Sequence, residues 1–217
     1  MENSNDKSYK IITSNGKGEI EEKKSRFIGE AFFVKSQEEA VSIIEKVTKE
    51  NYDARHVCYA YVIGDRSETV KCSDNGEPQG TAGKPILEVI NGYGLTNILV
   101  TVTRYFGGTL LGTGGLVRAY TASGKLAIEN SEKAIMTYGV KLSFSIDYSL
   151  VDKIMHTFEN MGIELQNPIY GADVTYDIIV SMSNLDTVKN KITELSSGKA
   201  TITIGESGYY PIPTTSL

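Results

Sequence analysis

The sequence predicts an α+β protein with two domains, and three observations support this fold class. Its 217 residues suffice for one large or two modest domains. Short runs rich in β-branched residues alternate with segments whose apolar residues recur every three to four positions, as strands and amphipathic helices do. From Ile135 onward, these segments follow the order strand, helix, strand, strand, helix, strand. We therefore expect an α/β domain over 1–134, a second domain over 135–207 and an irregular tail over 208–217.

In the first domain, hydrophobic periodicity separates the expected strands from the expected helices. Residues 1–17 are polar and are expected to be frayed. Ser36 followed by Glu39 is a capping-box pattern that predicts a helix start. Alternation predicts a strand from His56 to Ile63. The remaining expected elements are a strand at 26–34, a second hairpin strand at about 68–72, a short helix opened by Thr81 or Gly83, a strand before Arg104 and a helix ending near Asn130.

The second domain shows the order of elements of a ferredoxin-like fold. Val140, Leu142, Phe144 and Ile146 alternate with polar residues and predict its first strand. Two apolar stripes at helical spacing follow later in the chain, separated by two strand-like segments. A final strand is expected at 201–204. The resulting βαββαβ order is typical of the ferredoxin-like fold.

Composition and charge limit the classes of function. The formal net charge is −5, which argues against a protein that coats nucleic acid. Most of this charge falls after Ala134, so a site for a polyanion is expected in the first domain. Apolar runs are too short to span a membrane, and the polar N-terminus lacks a signal-peptide core. We expect a cytoplasmic protein with no membrane contact.

A glycine-rich segment from Arg104 to Tyr120 is the most unusual feature of the sequence. It lies between the strand before Arg104 and the helix that ends near Asn130. So many glycines reduce stability through backbone entropy, which suggests positive φ angles or a close approach to another group. One interpretation is an anion held by amides at the start of the helix, between Arg104 and Arg118. The alternative is a tight turn without a ligand.

A second unusual segment, Ser73 to Pro85, is rich in turn-forming residues. It contains two carboxylates, Asp74 and Glu77, which could act as acid and base or hold a cation. The alternative is that Asp74 only stabilises the turn.

His56 and Cys58 are expected on one face of a strand, with Cys72 on the neighbouring strand of the hairpin. A hairpin could place Cys72 opposite Cys58, which would allow a metal site or a Cys–His nucleophile. Two buried structural thiols are the simpler interpretation. We expect no metal and no cofactor.

Both unusual segments resemble the signature of the YigZ/IMPACT family. The resemblance rests on Arg104–Tyr120, on Asp74–Gly83 preceded by His56–Ala60, and on Lys24–Ile28. It spans residues 18–130 as an IMPACT domain, and the remainder resembles the small C-terminal domain of bacterial members.

This resemblance implies a fold like the second domain of ribosomal protein S5, with a left-handed βαβ crossover. That fold is shared with a domain of elongation factor G and with small-molecule kinases that hold phosphate on a glycine-rich loop. The ferredoxin-like domain is similar to another domain of elongation factor G. Eukaryotic relatives regulate translation under amino-acid stress by competing for a protein partner of a kinase. No catalytic residues are established for the family, so none is carried over, and shared fold does not transfer function.

Our leading hypothesis is a non-enzymatic factor that acts near translation through contact with a protein, RNA or the ribosome. The competing hypothesis is an enzyme whose small phosphorylated or carboxylated substrate lies on the glycine-rich loop, with Asp74 or Glu77 as base. A third is a partner-binding module in which both segments are structural. The expected anion- or partner-binding residues are Arg104, Gly107, Gly108, Gly112, Gly114, Gly115, Arg118, Asp74, Glu77, Lys84 and His56, with Arg26 and Arg55 as further cations.

Overall fold

The computed structural model describes residues 8–213, which form two compact units. One unit spans Tyr9–Ile135 and the other spans Met136–Ile212. Both combine helices with sheets, in agreement with the α+β prediction. Among the described residues, no helix is long and apolar enough to cross a membrane.

The first unit is built on one sheet with the strand order β2-β3-β6-β4-β5. Every neighbouring pair in this sheet is antiparallel. Since β3 and β4 both pair antiparallel with β6, they run parallel to each other, and α1 connects them across β6. The strands and helices of this unit are β1 (Tyr9–Ile12), β2 (Gly16–Glu22), β3 (Ser25–Phe33), α1 (Gln37–Glu50), β4 (His56–Ile63), β5 (Thr69–Ser73), α2 (Gly83–Tyr93), β6 (Ile98–Tyr105) and α3 (Gly112–Glu129).

Helices cover both faces of this sheet because side chains alternate along its strands. Val100 of β6 packs in the larger core with Ile86 of α2 and Leu116 of α3. Its neighbour Leu99 points to the opposite face and packs with Ala40 of α1. The central strand β6 therefore lies in two cores, which explains its continuous apolar sequence.

The second unit has the predicted βαββαβ order. Its elements are β7 (Lys133–Ile146, which begins in the first unit), α4 (Val151–Asn160), β8 (Gln166–Tyr170), β9 (Val174–Ser181), α5 (Leu185–Leu195) and β10 (Thr201–Pro213). In its sheet β9 lies between β7 and β8, and β10 pairs with β7. Phe144, Tyr176 and Ile178 face a core that also holds Ile154 of α4 and Ile192 of α5.

Three expectations from the sequence are corrected. Part of the segment expected to be frayed forms strand β1, in which Ile11 and Ile12 are buried, and β2 begins at Gly16. Residues 1–7, which the same expectation covers, lie outside the described range. Residues 208–213 belong to β10 rather than to an irregular tail. Prolines 211 and 213 are compatible with this strand because, among the described strands, it pairs only with β7, and prolines are tolerated at sheet edges. Residues 214–217 lie outside the described range.

The third correction concerns the two cysteines. In the β4–β5 hairpin, Cys72 pairs with Ala60, and Tyr59 pairs with Ser73, so Cys72 does not lie opposite Cys58. Cys58 is buried and Cys72 is exposed. The prediction of two buried thiols is therefore wrong, because Cys72 lies on β5, the edge strand of this sheet, where its side chain is exposed.

Candidate functional site

A row of three side chains crosses one end of the first unit's sheet. Arg104, near the end of β6, pairs with Phe27 on β3 and with His56 on β4. Directly paired residues of neighbouring strands point to the same face. This face also carries α2 and α3, so the row lies at the edge of the larger core, where the loops around it can close over the side chains.

Asp74 fixes the conformation of the loop that follows β5. Its Oδ1 accepts hydrogen bonds from the amides of Ala82 and Gly83 at 2.9 and 2.8 Å, and Oδ2 accepts one from Gly80 at 2.8 Å. Partial burial acts to raise the pKa of Asp74, but the three amide donors outweigh it and the pKa is lowered. Asp74 is therefore a stable carboxylate that caps the start of α2, and it is poorly suited to act as a base.

Glu77 is the centre of the site, with a side chain only 3% exposed. Its Oε1 accepts a hydrogen bond from Arg104 Nη1 at 2.6 Å and another from the Tyr120 hydroxyl at 2.8 Å. Its Oε2 lies 4.0 Å from His56 Nε2. The loop of residues 74–83, the strand β6 and the helix α3 therefore converge on one buried carboxylate.

The guanidinium of Arg104 is held by aromatic rings as well as by Glu77. Its Cζ lies 5.4 Å from the centre of the Phe27 ring and 5.5 Å from that of Phe106. These distances are typical of cation–π contacts. The buried Nε has no hydrogen-bond partner within residues 8–213. Arg104 was expected to face an anion from outside, but its charge is compensated inside the protein by Glu77.

His56 links the end of β4 to the loop of residues 74–83. Its Nδ1 lies 2.8 Å from the carbonyl oxygen of Asn75. A carbonyl only accepts, so Nδ1 carries a proton, and the neutral ring has its lone pair on Nε2, the nitrogen nearer Glu77. Asn75 in turn donates to the carbonyl of Val57 at 3.0 Å. These contacts fix the orientation of the ring.

Cys58 and Tyr120 form the floor of the site. The Cys58 sulfur lies 2.9 Å from the carbonyl oxygen of Asp74 and 3.4 Å from the Tyr120 hydroxyl. Burial raises the pKa of the Cys58 thiol to about 12 and also raises that of Tyr120. A thiol with such a pKa is protonated at neutral pH, so Cys58 is not an activated nucleophile.

The glycine-rich loop is shaped by backbone requirements at most of its glycines. Gly108 and Gly112 have φ angles of 82° and 71°, in the left-handed region that favours glycine. A Cβ atom at Gly107 would lie 2.0 Å from the carbonyl carbon of Lys24. A Cβ at Gly115 would lie 2.9 Å from Leu111 Cβ. The tight-turn interpretation therefore accounts for these four glycines.

Gly114 differs from its neighbours, because neither its φ angle nor its surroundings require glycine. The nearest atom to a Cβ built there is Arg118 Nη1 at 3.6 Å, an ordinary contact distance. Gly114 is exposed in the first turn of α3, where a glycine weakens the helix. The fold does not explain this glycine, so it is available for close approach of a partner.

Four exposed side chains surround the glycine-rich loop, and we call them the rim: Arg55, Phe106, Leu110 and Arg118. Phe106 is 42% exposed and Leu110 is 83% exposed. Arg55 places its Cζ 5.8 Å from the centre of the Phe106 ring. Large apolar side chains flanked by arginines are typical of protein interfaces.

The structure brings only part of the predicted residue set together. Asp74, Glu77, His56 and Arg104 belong to one connected cluster that also contacts α3. Lys84 is exposed on α2, 4.0 Å from Glu88. Arg26 is also exposed, 3.2 Å from Glu19. Within residues 8–213 no group of three or more His, Cys, Asp or Glu side chains is arranged to hold a metal ion.

Tyr120 and Phe106 were missing from the predicted set. Both lie inside or beside the glycine-rich segment, and their aromatic side chains were the available signal. Tyr120 falls on the apolar stripe of α3, so the sequence alone did not separate it from ordinary core residues.

Comparison with known proteins identifies the family. The Impact N-terminal domain matches residues 23–128, and a domain of unknown function, DUF1949, matches residues 144–199. The IMPACT family member YvyE of Bacillus subtilis (strain 168) is 37% identical over 205 residues, which cover 93% of each chain. The chain belongs to the IMPACT family. The resemblance found in the sequence is thereby confirmed.

Two further relatives support membership in the IMPACT family. The IMPACT family member YigZ of Escherichia coli (strain K12) is 35% identical over 178 residues, covering 81% of this chain and 87% of YigZ. A crystal structure of a hypothetical protein aligns with a TM-score of 0.58 and 33% identity, covering 90% of this chain and 96% of the other. The Glu77 cluster, defined as Glu77 with the side chains that surround it, lies wholly within the segments that carry the resemblance: Phe27, His56, Cys58, Asp74, Arg104, Phe106 and Tyr120.

Proposed function

We propose that this IMPACT-family chain is a non-enzymatic factor that acts in the regulation of translation by binding a protein partner through the rim. The supporting observation is the division between buried and exposed groups. The carboxylates of Asp74 and Glu77 are occupied by internal donors, whereas the exposed groups beside the glycine-rich loop are apolar or basic. Arg104 also contacts the ring of Phe106, so the buried network orients one exposed side chain of the rim, and such preorganisation favours docking of a partner.

The charge of the rim favours a protein over a nucleic acid. Arg55 and Arg118 are its only two cations, and the whole chain carries a net charge of −5. Proteins that bind the phosphate backbone of a nucleic acid normally present many more cations. The exposed Leu110 offers a base neither stacking nor hydrogen bonds, but it fits an apolar pocket on a protein.

The first experiment measures binding to purified ribosomes and to ribosome-associated proteins by co-sedimentation and cross-linking. The double variant Phe106→Ala/Leu110→Ala should weaken association at least tenfold, because both anchors are removed. The matched control is Tyr52→Ala/Val70→Ala, which removes two exposed apolar side chains elsewhere in the same unit and should leave association unchanged. Equal association of both double variants would contradict the proposal.

Two further measurements separate the classes of partner and test the link to translation. Nuclease treatment should leave the association intact. If RNA carried the contact, affinity would fall steeply with salt and Arg118→Ala would reduce that slope by about one. Titration of the chain into a cell-free translation system should change protein output, and the rim variant should not. An unchanged output at all concentrations would contradict a role in translation.

A second candidate function, an enzyme for a small anionic substrate, is favoured by one observation. His56 Nε2 lies 4.0 Å from Glu77 Oε2, and both are beside Arg104, so two proton-accepting groups adjoin a cation. The three amide donors to Asp74 argue against it as the base, so this candidate uses His56 or Glu77 as the base. A crystal soaked with phosphorylated nucleosides tests this candidate: an anion on the amides of residues 112–115 would support it, and an empty loop would count against it.

A further inference from the structure

A second candidate site lies in the second unit, is built from residues other than those of the Glu77 cluster, and is independent of the proposed function. Alternate residues of β7 and β9 face the core, and the residues between them face the other side of the sheet. On that other side, side chains of four strands line a cavity of about 360 Å³. This volume is near the lower end of the range of ~300–1,000 Å³ for small-molecule sites, so the cavity has room for a small molecule only.

The centre of this cavity is a row of hydrogen-bonding side chains across three strands. Asp177 on β9 pairs with Ser143 on β7 and with Gln166 on β8. The Ser143 hydroxyl donates to Asp177 Oδ1. This contact orients the carboxylate in the cavity wall and uses one of its two oxygens.

A β-bulge adds another polar group to the cavity. The register between β8 and β9 shifts between Gln166 and Ile169, and Asn167 has a φ angle of 50°. In a regular strand, two successive residues would point to opposite faces, yet Gln166 and Asn167 both line the cavity. Bulges that re-aim a side chain are common beside binding sites.

The charges around the cavity are mixed and determine what it could bind. Lys141 supplies a cation, and Asp177 and Glu206 supply two carboxylates. Lys141 Nζ lies 5.7 Å from the centre of the Tyr210 ring, a cation–π contact that limits its motion. Two carboxylates disfavour a phosphate or another simple anion. The lysine disfavours a divalent metal ion or a purely cationic amine.

We propose that this cavity binds a small zwitterion of the α-amino-acid type. The ammonium group of the ligand pairs with Asp177 and Glu206, and its carboxylate pairs with Lys141. The amide groups of Gln166 and Asn167 and the apolar edge of Ile179 contact the remainder of the ligand. The site discriminates against molecules that lack either charge, because each leaves a charged side chain of the cavity unpaired.

The test uses the full chain and a panel of the common L-amino acids, measured by titration calorimetry and by amide chemical shifts. At least one amino acid should bind and shift the amides of Lys141, Gln166 and Asp177. Its methyl ester, which lacks the carboxylate, and its 2-hydroxy-acid analogue, which lacks the ammonium group, should each bind at least tenfold more weakly. If no member of the panel binds at millimolar concentration, the proposal is wrong.

Variants that remove one charge of the cavity test which charged group of the ligand that side chain binds. Control variants and circular dichroism detect a loss of folding. Lys141→Met should weaken the amino acid at least tenfold but change the affinity for its ester by less than twofold. Glu206→Gln should weaken the amino acid and leave the 2-hydroxy-acid analogue unchanged or tighter. The matched controls are Lys153→Met and Glu159→Gln on the exposed surface of α4, which should bind normally. Cavity variants that are folded by circular dichroism and bind like these controls would overturn the proposal.

Discussion

The Arg104 guanidinium donates a 2.6 Å hydrogen bond to Glu77 Oε1, and both side chains are almost completely buried. This contact ties the loop of residues 74–83 to the strand that leads into the glycine-rich loop. The Tyr120 hydroxyl binds the same carboxylate oxygen from α3. One ion pair therefore joins the loop of residues 74–83 to the segment Arg104–Tyr120, the two unusual segments of the sequence.

We expect Glu77→Ala to destabilise the chain by about 3–5 kcal/mol, because it leaves the Arg104 charge buried without its partner. Urea unfolding followed by circular dichroism gives the change in the free energy of unfolding. The double variant Glu77→Leu/Arg104→Met should cost clearly less than the sum of the single variants Glu77→Leu and Arg104→Met. The exposed pair Lys84–Glu88 is the control, and Glu88→Gln should cost less than about 0.5 kcal/mol. A similar small cost for Glu77→Ala would contradict this role.

The contribution of Asp74 to stability should depend on pH. Folding lowers the pKa of Asp74 from its ordinary value of 3.8, because three amides donate to the carboxylate. A group whose pKa is lower in the folded state stabilises that state above the unfolded pKa, and this contribution is lost as pH falls through the folded value. The difference in unfolding free energy between the wild type and Asp74→Asn should therefore be largest near neutral pH and shrink below about pH 4.

Urea unfolding at a series of pH values measures this difference. Asp65→Asn, in the exposed turn between β4 and β5, is the control and should show a small difference at every pH. A difference for Asp74→Asn that stays constant from pH 7 to pH 3 would mean that the carboxylate charge is not what the amides recognise.

The sequence predicted the elements that depend on local patterns better than the contacts that depend on the fold. The strand His56–Ile63 was predicted with correct bounds, because its alternation is regular and turn residues follow it. The short helix expected to open at Thr81 or Gly83 begins at Gly83, and Gly94 ends it with a left-handed φ angle of 65°. By contrast, the final strand was expected at 201–204 but extends to Pro213, and only its position in the sheet explains why two prolines are tolerated in it.

The same distinction applies to the candidate site. The residue types of Asp74, Glu77 and Arg104 indicated a polar site, but their roles depend on partners distant in sequence. From the sequence alone, Arg104 is expected to be an exposed cation. In the fold it contacts Glu77, which lies 27 positions earlier in the chain. From the sequence alone, Asp74 is a candidate base. In the fold, the amides of Gly80, Ala82 and Gly83 donate hydrogen bonds to its carboxylate. Spacing along the chain does not encode these contacts.

Alanine substitutions in the glycine-rich loop should separate fold from function. Gly107→Ala should destabilise the chain strongly, because its Cβ would lie 2.0 Å from the Lys24 backbone. Gly114→Ala should be neutral or stabilising by up to about 1 kcal/mol, because alanine is the better helix former and the space is open. Thermal unfolding of the two variants provides the comparison. If Gly114→Ala keeps its stability yet loses the proposed association with ribosomes or their proteins, close approach of the partner at this glycine is the cause. Full association would remove Gly114 from the binding surface.

The two cysteines should differ sharply in reactivity towards a thiol reagent. Cys72 is exposed on β5, whereas Cys58 is buried, and its pKa is raised to about 12 by burial. Because the thiolate is the reactive form, the native chain should show one fast-reacting thiol at pH 8, and the second should react only after addition of denaturant. Cys72→Ser should remove the fast phase, and Cys58→Ser should leave it unchanged. A fast reaction of Cys58 in the folded chain would show that the floor of the Glu77 cluster opens readily, which would restore a chemical role for that thiol.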